Sequence, residues 1–512
     1  MPARLVGLAF VTILGTVTVA FLQERWFSHH LFPIFMAYAF WWWATAAYLR
    51  RWHHAVLAAS LIYAGLGQFL ATAQYHEQVE ELDEAFQEAG LSVRGKRVGL
   101  LNLHPSPYNQ YLASNGGSRW NPLMNIAYVS AELARRGHEI DVITTRSRDY
   151  HTWANSLPRE ERHEGVSICR FDSLGRSPRL LRMMEWGFQN YWRGMQRRYE
   201  PFIFLGSGPI SPGLFAAVRS RARRYDAVHI NQLHYSHAFT TYVAARAAGC
   251  PIILTPHLHA EQRETWDVGY LRTVIRGSHV VVAVSEAERR HLVSKGLNDS
   301  VVVAGNGLVM DNYPARDPAA ARKALNVPDD AFVILFLGRK TDYKGLDIAV
   351  EAFRSIRQNH PKAVFLAVGP ETDFSAALWA RVGAVDGLIR RGAVDESEKI
   401  DALAACDVMC MPSTGEAFGI TYLEAWAYAK PVIGARIASV SSIISENANG
   451  LLVEPRDTRG LRRLIERLIE DPERGMAMGR RGYATLLGRY TIGRIAQIIE
   501  GACAIARRRA AA

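Results

Sequence analysis

The sequence predicts an α/β protein of two doubly wound, parallel-sheet domains facing a cleft, preceded by hydrophobic transmembrane helices. Three observations carry this. From residue 96 to about residue 490, short apolar runs alternate with amphipathic stretches of helical period, the pattern of strand–helix crossover units. A polar linker containing Pro and Asp, residues 311 to 330, interrupts that pattern once and divides it into two halves. Ahead of it lie three uncharged, largely apolar runs at 5 to 22, 31 to 48 and 55 to 73, each close to the roughly 20 residues a helix needs to cross a bilayer.

In chain order, the boundaries are membrane-anchoring helices over 1 to 75, a Glu- and Gln-rich helical connector over 76 to 95, and an N-terminal Rossmann-like domain over 96 to 312. A C-terminal Rossmann-like domain over 313 to 490 and a helix with a basic tail over 491 to 512 complete the chain. In the first half, strands are expected at Val98-Gly99-Leu100-Leu101, Ile140-Asp141-Val142-Ile143, 227 to 230, 252 to 254 and 280 to 283. A polar loop holding Gly116-Gly117 follows the first of these and enters a helix near 122 to 136. In the second half, after Gly305-Asn306-Gly307, strands are expected at 332 to 337, 363 to 368, 407 to 411 and 431 to 434. Helices are expected at 345 to 358, 396 to 404, 420 to 429 and 457 to 470. Open parallel sheets bind ligands outside the carboxyl ends of their strands, so the crevice between the halves is the expected site.

With 512 residues, 49% hydrophobic and 21% charged, the chain can fill two or three cores. The five cysteines are odd in number and scattered, which argues against a disulfide framework and suits a reducing compartment. Cys406 and Cys410 flank an apolar run and read as structural rather than as a metal pair. The net charge of +11 admits nucleic acid, an anionic membrane or phosphorylated substrates. Its distribution narrows the choice: arginines crowd residues 170 to 198 beside Trp186, Tyr191 and Trp192, and no nucleic-acid signature accompanies them. Membrane and phosphate partners are favoured, with a solvated helix packed on its own domain as the equal alternative for 170 to 198. Trp41-Trp42-Trp43 near Arg50 and Arg51 reads as an interfacial belt.

Two motifs carry chemistry. Gly415-Glu416-Ala417-Phe418-Gly419-Ile420-Thr421-Tyr422-Leu423-Glu424 is a glycine-bearing turn that follows a strand and opens into a helix. It sets two carboxylates, Glu416 and Glu424, toward one crevice, and the N–H groups of Phe418, Gly419 and Ile420 form an anion site at the helix start. Alone, the alternative for the pair is an acid complementing the helix dipole and a surface glutamate. Gly338-Arg339-Lys340-Thr341-Asp342-Tyr343-Lys344-Gly345 also joins a strand to a helix. A planar Arg339 fork and a point charge at Lys344 suit a departing diphosphate, against the plain alternative of solvated basic side chains. No Asp-x-Asp occurs in the sequence, so no metal and no cofactor are expected.

These residues make the region from about 96 to 490 resemble the family-four retaining glycosyltransferases with the GT-B fold. The Arg339 and Lys344 loop, the Glu416 and Glu424 spacing, Gly116-Gly117 and the phrase Leu133-Ala134-Arg135-Arg136-Gly137-His138-Glu139-Ile140 carry the resemblance. It implies an N-terminal acceptor domain and a C-terminal nucleotide-sugar donor domain. Glu416 would then contact the donor sugar, Glu424 the ribose, Arg339 and Lys344 the diphosphate, and the Gly116-Gly117 loop the donor phosphates and acceptor. In Thr255-Pro256-His257 it makes His257 the residue that meets the transferred sugar, with His259 next in line and a satisfied loop histidine as the alternative.

The expected function is retaining hexosyl transfer from a nucleotide sugar to a lipid-linked or glycan acceptor in envelope polysaccharide or glycolipid assembly. A catalytically inactive nucleotide-sugar-binding scaffold or sensor is the alternative, and a phosphorylase lacks a convincing lysine context for pyridoxal. Arg4 and three complete crossings would place the domains outside, whereas nucleotide sugars are held in the cytosol. The substrate argument takes precedence, giving the inner membrane with catalytic domains facing the cytoplasm.

Overall fold

The computed structural model describes residues 97–101, 125–147, 153–258 and 262–512. The three apolar runs, the connector, Gly116, Gly117 and His259 lie outside the described residues. Among the described residues no single helix is long and apolar enough to cross a membrane; one pair, Arg197–Ser207 and Pro212–Arg224, passes the test together but is bent by 96°.

The first sheet comprises β1 (Arg97–Leu101), β2 (Glu139–Thr145), β3 (Glu160–His163), β4 (Val166–Phe171), β5 (Ala227–Asn231), β6 (Ile252–Thr255), β7 (Val280–Ala283) and β8 (Val301–Val303). Its order is β3-β4-β2-β1-β5-β6-β7-β8, parallel throughout except for the antiparallel edge pair β3 and β4. The second comprises β9 (Phe332–Leu337), β10 (Ala363–Val368), β11 (Leu388–Arg391), β12 (Val408–Met411), β13 (Val432–Ala435) and β14 (Leu451–Val453), in the order β11-β10-β9-β12-β13-β14 and all parallel.

The central strands are apolar runs because crossover helices cover both faces of each sheet there. Every residue of β5, β6, β7, β10 and β12 is buried. The helices that cover them show the complementary period: Leu346–Asn359 turns Leu346, Val350, Phe353 and Ile356 inward, and Thr458–Glu470 turns Leu461, Ile465 and Leu468 inward. Cys406 and Cys410 are buried at β12, and burial pushes the Cys406 thiol up to about 12.

The first sheet winds outward in opposite directions from β1 and β5, the second from β9 and β12. At such a switch point the loops leave on opposite sides and open a crevice. The loops after β9 and β12 are the two charged, glycine-bearing motifs.

The chain joins the halves twice. Beyond the linker, Leu308 N–H donates to Tyr490 O at 2.8 Å and Ile492 N–H to Leu308 O at 2.9 Å. From there the last helix, Ile492–Ala511, returns to the first half and buries Ile495, Ile499, Ala502 and Cys503 against Leu133, Ile140, Ile253 and Val280. Arg136 and His138 bind its Glu500 at 3.2 and 2.9 Å. The basic tail is partly neutralised on the same half, with Arg507 on Asp226 at 3.3 Å and Arg509 on Asp299 at 2.8 Å.

Candidate active site

The loop after β9 is pinned by a buried lysine. Lys340 forms an ion pair with Glu371 and donates to Arg391 O at 2.7 Å. Its neighbour Arg339 is exposed, and its guanidinium bonds to none of the described residues. A short 3-10 turn, Asp342–Lys344, enters the helix Leu346–Asn359 through Gly345 at φ 75°. A Cβ at Gly345 would come within 2.5 Å of Pro412 O, so only glycine lets the loops after β9 and β12 approach this closely. They are stitched by Thr414 N–H to Tyr343 O at 2.7 Å and Ser413 Oγ to Tyr343 O at 3.1 Å. This juxtaposition delivers Lys344 Nζ onto Glu416 Oε1 in a largely buried ion pair.

The second loop reaches the helix Ile420–Ala427 through Gly419 at φ 92°, where any Cβ would strike the Tyr422 ring at 2.5 Å. Tyr422 is held by its own hydroxyl, which donates to Met411 O at 2.8 Å. The N–H groups of Phe418, Gly419 and Ile420 lie ahead of the first internal bond of this turn, Tyr422 N–H to Gly419 O.

Inside that helix Glu424 is buried. Tyr313 Oη and Lys399 Nζ both donate to its Oε1 at 2.9 Å, while Oε2 takes no bond from the described residues. Lys399 also pairs with Glu396 at 2.9 Å. Burial opposes the charge on Lys399, but Glu424 and Glu396 outweigh it and hold its pKa above the ordinary lysine value. Burial and then Glu424 push the Tyr313 phenol well up. Neither Tyr313 nor Lys399 was singled out from the sequence. Glu396 and Lys399 look there like an exposed i,i+3 helical pair, yet the Lys399 side chain is only 2% exposed.

In the first half, β6 ends at Thr255 and the chain turns through Pro256 to His257, which adopts φ 52°. His229 binds Thr255 Oγ1 through Nε2 at 2.7 Å. Burial, and then the neighbouring His257, lower the His229 pKa to about 3, so this imidazole stays neutral. His229, Thr255 and His257 line one small cavity with Gly305 and Asn306. A side chain at Gly305 would meet the rings of Tyr490 at 3.0 Å and Phe418 at 3.2 Å, so Phe418 reaches the loop that closes this cavity.

Among the described residues, the second half thus holds an ammonium–carboxylate pair, a guanidinium without a bond, a helix start and a buried carboxylate with one spare oxygen. Such a set suits a phosphate-bearing ligand with a vicinal diol. Among the described residues no group of three or more His, Cys, Asp or Glu side chains could hold a metal ion.

Two doubly wound halves with charged loops at a switch point define the GT-B class of glycosyltransferase architecture. Residues 125–307 match the glycosyl transferase 4-like domain and residues 317–485 match glycosyl transferases group 1, together more than half of the chain; it belongs to the group 1 glycosyltransferases. The D-inositol 3-phosphate glycosyltransferase of Kineococcus radiotolerans is 28% identical over 422 residues, covering 75% of this chain and 90% of that protein. The enzyme of the same name from Streptomyces avermitilis is 26% identical over 423 residues, covering 75% and 82%. Among solved structures, Anabaena HepE in complex with UDP and glucose shares the fold at TM-score 0.57 and 19% identity, over 78% of this chain and 97% of that one. Sucrose-phosphate synthase from Thermosynechococcus elongatus shares it at TM-score 0.59 and 19% identity, over 79% and 97%.

Proposed function

We propose that this glycosyltransferase moves a hexose from a nucleotide-sugar donor to a lipid-linked or glycan acceptor at the inner membrane, with retention and without a metal or other cofactor. The observation that carries it is the cationic clamp at the second switch point: Arg339 exposed, and Lys344 held by Glu416. A departing diphosphate needs fixed positive charge, and here Arg339, Lys344 and the N–H groups of Phe418, Gly419 and Ile420 supply it. Glu424, with Oε2 spare, takes the ribose hydroxyls. Glu416 orients the sugar and stabilises positive charge developing on it, and His257 meets it from the other half; the Gly116 and Gly117 loop is assigned to the donor phosphates and acceptor by the family resemblance alone. The acceptor attacks the face from which the diphosphate leaves; the new glycosidic bond forms as the sugar–phosphate bond breaks, and the leaving phosphate takes the acceptor proton.

The donor to try first is UDP-glucose, because Anabaena HepE is described in complex with UDP and glucose. Release of nucleoside diphosphate from UDP-, GDP- and ADP-sugars, with membrane extract as acceptor source, tests the reading against Glu416→Gln. Activity with one donor that the variant loses supports transfer. Donor binding without release above the variant establishes the inactive scaffold instead. Retention is checked by the anomeric proton coupling of the product.

Glu424→Gln is expected to raise the donor KM about tenfold with turnover changed by less than about threefold, since one charged hydrogen bond to the ribose is weakened. It also deprives Lys399 of one of two carboxylates, so the melting temperature is expected to fall by a few degrees, about 1 kcal/mol.

Membrane association rests on the apolar runs and on a surface of the first half. The helices Pro178–Tyr191 and Glu200–Ser207 pack together there, with Trp186 and Leu205 exposed and Arg179, Arg182, Arg193, Arg197 and Arg198 exposed on or beside them. Sedimentation with vesicles is expected to require anionic lipid and to weaken with Trp186→Ser combined with Arg182→Ala. Equal sedimentation of the two proteins removes this surface from the proposal. The catalytic halves face the cytoplasm, where the donor is held.

A further inference from the structure

We infer that Glu288 is a positioning residue for the transfer step, its carboxylate tying the turn that carries His257 to the end of β7. This rests on the reading above, in which His257 meets the transferred sugar.

Glu288 stands third in the helix Glu286–Ser294 and is 3% exposed. Its Oε1 accepts the N–H of Leu258 at 2.6 Å and its Oε2 the N–H of Val284 at 2.6 Å. One side chain therefore bridges the carboxyl ends of two neighbouring strands, β6 and β7. The Leu258 N–H belongs to the peptide that begins at His257, so holding it fixes the direction in which the chain leaves the histidine. His257 sits at φ 52°, a left-handed conformation that a residue other than glycine keeps only where its surroundings impose it. The Leu258 bond is such a constraint.

The helix does not need this carboxylate as a cap. Ser285 Oγ already accepts the Glu288 N–H at 3.1 Å, the ordinary N-cap bond. Burial pushes the Glu288 carboxyl up to about 7, and the Leu258 and Val284 N–H groups act against that shift. A buried acceptor is costly unless its partners are placed for it, and both partners are backbone groups of strand-end loops. Glutamine keeps the shape but offers one acceptor oxygen, so its amide N–H group faces one of the two backbone donors.

The test is a double-mutant cycle assayed above neutral pH with the donor identified by nucleoside diphosphate release. Glu288→Gln is expected to lower kcat about tenfold or more, with nucleoside diphosphate affinity held within about twofold, because a displaced histidine costs rate while Arg339, Lys344 and Glu424 are untouched. In a His257→Ala background the same substitution is expected to cost no more than about twofold further, since both changes act through one side chain. Wild-type turnover in Glu288→Gln, independent costs that multiply with His257→Ala, or an equal fall in nucleotide affinity would each overturn the inference. If Glu288→Gln melts below the assay temperature, Glu288→Asp, which keeps the charge and retracts it by one methylene, is expected to give the same split. Failure of both variants to fold makes the residue structural and also overturns it. Should His257→Ala itself leave turnover intact, the parent reading of His257 fails; should it slow turnover while Glu288→Gln does not, the inference alone fails.

Discussion

Replacing Glu416 by glutamine is expected to lower turnover on the order of 100-fold while nucleoside diphosphate affinity holds or rises. The reason lies in the Lys344 pair. In the described structure Lys344 Nζ is bound to Glu416 Oε1, so the ammonium proposed to grip the diphosphate is partly committed to a carboxylate. Neutralising Glu416 leaves that ammonium available to phosphate, which favours binding of the nucleotide. The carboxylate is also the group proposed to orient the donor sugar and to oppose the positive charge that grows on it as the diphosphate departs. That interaction is stronger in the transition state than in the ground state, so its loss falls on kcat. Titration with the nucleoside diphosphate gives the affinity, and single-turnover kinetics with the intact donor gives the chemical step. Parallel losses in affinity and turnover would place Glu416 in general donor binding and remove its proposed role.

The elements legible in the sequence are those whose environment is uniform. β9 and β10 are continuous apolar runs buried between helices, and the expected ranges 332 to 337 and 363 to 368 coincide with them. β12 begins one residue later than expected because the Asp407 side chain, at its head, accepts the Val333 N–H at 2.7 Å and pairs with Arg322. The helix expected over 420 to 429 ends at Ala427, since Ala429 takes φ 52° and Pro431 follows. What the sequence hides is polar, short or distant. The edge strand β3 reads Glu-Glu-Arg-His and has no apolar run to betray it. The last helix follows the second half in the chain yet completes the core of the first, a contact that no local pattern encodes. At the site, the glycine-flanked loops were visible as strand-to-helix turns with charged side chains. The Lys344 and Glu416 pair joins residues 72 positions apart, and the burial of Lys399 beneath Glu424 emerges only when the helix Glu396–Ala405 is packed.

Arg339→Ala is expected to reduce kcat/KM for the donor roughly 10- to 100-fold, the equivalent of about 1.5–3 kcal/mol for a lost charge-assisted contact to phosphate. Its melting temperature is expected to match that of the wild type, because the guanidinium is exposed and bonds to none of the described residues. Arg339→Lys is expected to recover little, since an ammonium cannot present the planar fork that engages two phosphate oxygens at once. Lys344→Ala behaves differently. It removes a phosphate contact and also leaves the largely buried Glu416 carboxylate without its ammonium, so affinity, turnover and stability fall together. The measurement that separates the two is binding of a nucleoside diphosphate against its nucleoside, with thermal melts of each variant. Arg339→Ala should weaken the diphosphate alone, and the weakening should shrink as salt screens the charge. Equal weakening of the nucleoside would place Arg339 away from the phosphates, and an unchanged diphosphate affinity would leave the clamp to Lys344 and the helix start.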